Sequence, residues 1–99
     1  MTGFDHTQLD DLIHSRIRLA VMAVLASVER AEFSFLRDQV KATDGNLGAH
    51  LRKLEDAGYV SADKRFVDRK PVTDYRLTAQ GRAAFDAYVA HLASLTGLK

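Results

Sequence analysis

The sharpest alternation of apolar and polar positions lies in residues 43–60, TDGNLGAHLRKLEDAGYV, where Leu47, Leu51 and Leu54 recur at i, i+4 and i+7. That spacing is one stripe of a helix, so the three leucines predict an element buried along one side. At roughly 100° per residue, Gly45, Asn46, Ala49, Arg52 and Lys53 fall on the opposite side and face outward. Thr43 offers its hydroxyl to the unpaired amides at the start of this helix, and Gly58 suits the left-handed conformation common at a helix end.

The same reading extends in both directions. Leu9, Leu12 and Ile13 make a short apolar stripe, expected as an N-terminal helix over 1–14. Ser15 then caps a longer helix to about Glu29, with Ile17, Ala20, Val21, Val24, Leu25 and Val28 on its buried face. Ser34 to Val40 reads as a short helix carrying Leu36 and Val40 inward, joined by Lys41-Ala42 to the leucine helix. Downstream, Tyr59-Val60 opens a strand, while Val72, Thr73, Tyr75 and Leu77 make a second. Between them, Val67-Asp68-Arg69-Lys70-Pro71 supplies a polar turn in which Pro71 holds Lys70 extended. Thr78 caps a last helix with Phe85, Tyr88, Leu92 and Leu95 at the three-and-four spacing of a helix–helix seam. The expected fold is mainly α with a small β hairpin, an α+β domain. It divides into an N-terminal helix (1–14), a helical core (15–58), a hairpin (59–77) and a C-terminal helix (78–99).

Ninety-nine residues, 46% of them apolar, suit one compact domain with a modest core that a dimer would enlarge. The net charge of +1 is uninformative until its distribution is read. Residues 50–82 hold eight cations against five anions, a local excess of +3, and all of these cations but Arg82 fall on the leucine helix and the hairpin. The chain has no cysteine, which excludes disulfides, thiolate nucleophiles and thiolate metal sites and fits a reducing cytoplasm. Its start is polar and acidic, unlike an export signal, and its longest apolar run, residues 19–26, is far short of the roughly 20 residues that span a membrane.

A helix that presents small and polar residues, followed by a cationic hairpin, is an arrangement suited to double-stranded DNA. The major groove admits one α-helix, and a carboxamide such as that of Asn46 can donate to adenine N7 while accepting from adenine N6. Gly45, Gly48 and Ala49 lack bulk and allow close approach, Ala49 can meet a thymine methyl, and Arg52 and Lys53 reach guanine or phosphate. Phosphates are also met at helix starts, here Ser34 and Thr43, and by cations, here Lys64 and Arg65 on a strand and Arg69 and Lys70 at the tip. His50, at the border of the leucine stripe, either donates to a phosphate or packs.

Residues 43–60 and Leu-Thr-x-x-Gly-Arg-x-Ala-Phe at 77–85 together resemble the winged helix-turn-helix transcriptional regulators of the MarR and ArsR type, across nearly the whole chain. The resemblance implies a three-helix core with a wing, a roughly palindromic operator and a homodimer joined through its terminal helices. Under that reading Leu9, Leu12, Ile13, Phe85, Tyr88, Leu92 and Leu95 lie at the dimer interface; the C-terminal seam has intramolecular core as its alternative, and the small size of the chain favours the interface. Gly48-Ala49 departs from relatives that carry polar side chains there, which makes base readout sparser.

Other functions are weaker on the residues. His6, His14, His50 and His91 invite a metal, but no two stand at i, i+3 or i+4, so neither a metal nor another cofactor is expected. No phosphate loop or Ser-His-Asp set is evident, and Asp38 and Asp44 lack a base beside them, so an enzyme is not expected. A protein-interaction adaptor without DNA is the competing reading, because such folds also serve in assembly. An effector of unidentified kind is compatible with the regulator reading, and repression is its expected sign.

Overall fold

The structure, a computed structural model, describes residues 10–96. In chain order the elements are α1 (Arg16–Ala26), β1 (Ala31–Glu32), α2 (Phe33–Val40), α3 (Asp44–Asp56), β2 (Val60–Val67), β3 (Lys70–Leu77) and α4 (Ala79–Thr96). The three strands form one antiparallel sheet in the order β1-β3-β2. Four helices and this small sheet make a winged helix α+β fold.

Each helix boundary has a local cause. Ser15 caps α1 by accepting from the Arg18 amide, and Thr43 caps α3 by accepting from the Asn46 amide at 3.2 Å. α3 ends in a Schellman arrangement: the Gly58 amide donates to the Glu55 carbonyl at 2.9 Å and the Tyr59 amide to the Leu54 carbonyl at 3.0 Å. Gly58 sits at φ 82° in that turn, a conformation that costs a side-chain-bearing residue. α2 closes on Lys41 at φ 56°, which turns the chain sharply into α3.

Leu36, Leu47, Leu51 and Leu54 pack with Val21, Met22 and Leu25 of α1 in one core that Val60 and Tyr88 complete. The leucine stripe is therefore buried as its spacing requires. At roughly 2–5 kcal/mol for truncating each such leucine, the stripe holds α3 in one rotational setting.

The 77–85 motif also acquires a physical cause. Thr78 donates its hydroxyl to the Gly58 carbonyl at 2.6 Å and accepts from the Gly81 amide at 2.9 Å, clamping the end of α3 to the start of α4. Gly81 lies so close to the Tyr59 backbone that an added Cβ would stand 2.0 Å from the Tyr59 carbonyl oxygen.

Several expectations need correcting. Residues 10–14, the described part of the expected N-terminal helix, form a turn in which the His14 amide donates to the Asp10 carbonyl at 2.8 Å. α1 stops at Ala26, where the Ser27 amide and hydroxyl both turn back to the Val24 carbonyl. Ile13 and Tyr88, expected at a subunit interface, are buried inside this chain, at 0% and 3% exposure, which leaves them no surface for a partner. Tyr88 is fixed there by a 2.6 Å hydrogen bond to His14 Nδ1. Leu12, Phe85 and Leu92 are partly buried against the same core. Leu9 and the side chain of Leu95 lie outside the described residues.

Candidate nucleic-acid interface

The outward side of α3 is a ridge. Thr43, Gly45, Asn46, Ala49, Arg52 and Lys53 are all exposed, and among the described residues no hydrogen bond or ion pair occupies the side chains of Asn46, Arg52 or Lys53. Leu47, Leu51 and Leu54 cause this, because burying them leaves the opposite side no protein to meet. An unpartnered carboxamide beside two unpartnered cations can meet a base edge and its flanking phosphates together.

His50, at the border, is half-buried and accepts from Arg18 Nη1 at 2.9 Å through Nδ1. A guanidinium can only donate, so the imidazole is neutral there with its proton on Nε2. Burial, then the charges of Arg18 and Lys53, hold its pKa below the ordinary histidine value. The ring thus packs, and its remaining Nε2–H is a donor.

The helix before the turn contributes a residue that periodicity did not single out. Arg37 of α2 bonds Asp44 in the first turn of α3 at 3.0 Å and its neighbour Asp38 at 3.2 Å. This exposed pairing ties the two helices at the turn and neutralises the carboxylate nearest the ridge. The signal was a cation seven residues ahead of an acidic helix start, visible only once the turn is known. Ser34 is exposed in the first turn of α2, close enough to Pro71 and Thr73 of the hairpin to share a groove with them.

The hairpin is tight. Asp68 and Arg69 occupy the two turn positions at φ 51° and 67°, the paired left-handed conformations of a type I′ turn, whose twist matches the flanking strands. Arg69 and Lys70 stand exposed at its tip and Lys64 on its rising strand, none in an ion pair among the described residues. Lys64 shares a groove of about 350 Å³ with Gly48, Arg52 and Glu55 of α3 and Thr73 and Tyr75 of β3, so the hairpin face bearing Lys64 is the face toward the ridge.

Arg65 departs from the expectation of a phosphate-binding cation. It donates to Asp74 at 2.6 Å and to Glu32 at 3.3 Å, and Arg30 approaches the same Asp74 carboxylate at 3.7 Å. The hydrogen bond from Arg65 holds the buried Asp74 carboxyl below the usual range. A neighbouring strand position on the opposite face, with an acid across the ladder, has made Arg65 a tie within the sheet. The two-residue β1 that carries Glu32 is too short for alternation to reveal.

Among the described residues no three of His, Cys, Asp or Glu are grouped so as to hold a metal ion, and no helix is long and apolar enough to cross a membrane. Residues 17–96 match the family model of the winged helix DNA-binding domain. An uncharacterized protein of Methanocaldococcus jannaschii is 34% identical over 85 residues, covering 86% of this chain and 92% of that protein. The solved structure of a transcriptional regulator homologue from Pyrococcus horikoshii superposes with a TM-score of 0.81 at 29% identity, covering 87% of this chain and 85% of that one. A regulator of the MarR family from Enterococcus faecalis gives 0.72 at 25% identity, covering 87% and 79%. With the leucine-backed ridge, the type I′ wing and a family match over nearly the whole described chain, this protein belongs to the winged helix DNA-binding domain family, whose structural neighbours are transcriptional regulators and not enzymes.

Proposed function

We propose that the chain is a sequence-specific repressor that acts as a homodimer, laying α3 in the major groove and the wing on the backbone or in the adjacent minor groove. The observation that carries this reading is the exposed, unpartnered set Asn46, Arg52 and Lys53 on a helix locked from behind by three buried leucines. Asn46 reads an adenine, Ala49 meets a thymine methyl and Gly45 admits the backbone. Arg52 and Lys53 take guanine or phosphate, while Thr43, Ser34 and the Nε2–H of His50 lie within the same footprint. Lys64, Arg69 and Lys70 hold the register through phosphates.

Dimerisation is supported by α4, whose Val89 is 46% exposed and whose Phe85 and Leu92 keep part of their apolar surface outside the core. Two copies related by a two-fold axis would set their recognition helices about 34 Å apart, one helical turn of DNA. Occupancy of a promoter then excludes polymerase.

Selection of binding sites from random duplexes, repeated across salt concentrations, tests the whole reading. Asn46→Ala should relax discrimination at one base pair by about 1–3 kcal/mol, whereas Lys70→Ala should weaken all sequences and reduce the salt slope by about one. Selection of no preferred duplex at low salt would refute it.

A further inference from the structure

Phe66 stands on β2 one register pair from the turn, opposite Pro71, and is 76% exposed. Among the described residues it is the most exposed large apolar side chain, and no packing in this chain explains it. Strand alternation places it on the same side as Ala62 and Lys64, the face that lines the groove against α3. The ladder to β1 ends at Asp74, so the pairs from Thr73 outward project as a two-stranded ribbon roughly 10 Å long. Phe66 is thus an aromatic ring held near the end of a stiff arm, on its recognition-helix side.

Its neighbours specify what it meets. Lys64 on the same face, and Arg69 and Lys70 at the turn, are exposed cations without an ion pair among the described residues. An aromatic ring ringed by unpaired cations complements a surface of regularly spaced anions around flat apolar planes. A second copy of this chain would bring the same cations against one another. Duplex DNA beside the groove occupied by α3 meets both requirements and is continuous with the ridge.

Resting on the regulator reading above, we propose that Phe66 is an apolar wedge that the wing presses against a base step in the minor groove, partly unstacking it, while Lys64, Arg69 and Lys70 take the flanking phosphates. A wedge works least expensively at flexible pyrimidine–purine steps, so the operator carries a TA or CA step under each wing. Sequence preference then arises at positions α3 never touches.

The test uses the full-length protein and the duplex that it selects, with 2-aminopurine placed at the step beneath the wing. Wild-type protein should brighten the probe on binding, and replacing TA by a stiff AA step should weaken binding several-fold. Phe66→Ala should bind roughly tenfold more weakly, leave the probe dark, lose the TA preference and keep the wild-type salt slope, since no charge is removed. Phe66→Trp should restore affinity and signal, and thermal melts of both variants should match wild type because the ring is exposed. Equal binding and equal probe signal for Phe66→Ala would overturn the wedge while leaving the regulator reading intact. A shift in dimerisation without change in duplex contact would overturn it in favour of a protein interface. Failure of wild-type protein to select any duplex would overturn both readings together.

Discussion

Three glycines in helices should respond to the same substitution with opposite signs. In an ordinary helix interior, Gly→Ala stabilises by roughly 0.5–1 kcal/mol. At Gly45 and Gly48 an added Cβ meets nothing within 4 Å, so the ordinary gain applies, in full at Gly48 and less in the first turn at Gly45. At Gly81 the Cβ would lie 2.0 Å from the Tyr59 carbonyl oxygen, against an ordinary C···O contact of roughly 3.3 Å. α4 must therefore retreat by more than about 1 Å, which overpacks at a cost of about 1–3 kcal/mol. The retreat also strains the Thr78 bonds to the Gly58 and Tyr59 carbonyls, 2.6 and 3.0 Å long, each worth about 1 kcal/mol. After the helix-propensity gain is subtracted, Gly81→Ala should destabilise by roughly 2–4 kcal/mol, a fall in melting temperature of some 10–30 °C, while Gly48→Ala should raise it by about 2–8 °C.

Thermal melts followed by circular dichroism, with duplex affinity measured on the same preparations, read both effects. Gly45→Ala should be at least as stable as wild type yet bind the selected duplex tenfold or more weakly, about 1.4 kcal/mol, because the ridge has lost its clearance. Glycines that cost stability and touch nothing in the protein make sense only if something outside uses the space. Alanine at both positions with stability gained and affinity unchanged would refute that reasoning, and a Gly81→Ala protein that melts like wild type would refute the packing argument at the α3–α4 junction.

The remaining predictions concern charge. Arg69→Ala should reduce the salt slope of duplex binding by about one, whereas Arg65→Ala should leave the slope unchanged and lower thermal stability, because Arg65 is committed to Asp74 and Glu32. Since the folded protein depresses the pKa of His50, the unfolded chain takes up the proton first as pH falls below about 6.5. His50 therefore makes stability decline through that range, and urea titrations from pH 7 to 5 should show a shallower decline for His50→Gln. The Tyr59 hydroxyl donates to Asp10, and that bond, with burial, pushes its pKa up to about 12. The stability it contributes is whole below about pH 10 and lost as pH rises through 12, so Tyr59→Phe should flatten the alkaline limb of the pH–stability curve.

What the amino-acid order determined alone is everything set by neighbours within a few positions. The leucine stripe oriented α3, Ser15 and Thr43 capped their helices, Gly58 ended one, and the polar run before Pro71 made the hairpin; backbone hydrogen bonds and side-chain periods act over short stretches. The outward placement of Asn46, Arg52 and Lys53 followed from that geometry, and so did the fold class. Tertiary structure decided what each exposed or apolar side chain meets. Lys64 and Arg65 are adjacent cations on one strand, yet only Arg65 reaches Asp74, diagonally across the ladder, and Glu32 beyond it. Tyr88 sits on the same helical seam as Phe85 and Leu92, yet it alone meets His14, 74 positions earlier, and is buried. Phe66 is an exposed ring because the β2–β3 ribbon carries it beyond the last pair that β1 makes with β3. Burial and ion pairing depend on partners that chain folding brings from far along the sequence, and no local pattern encodes their arrival.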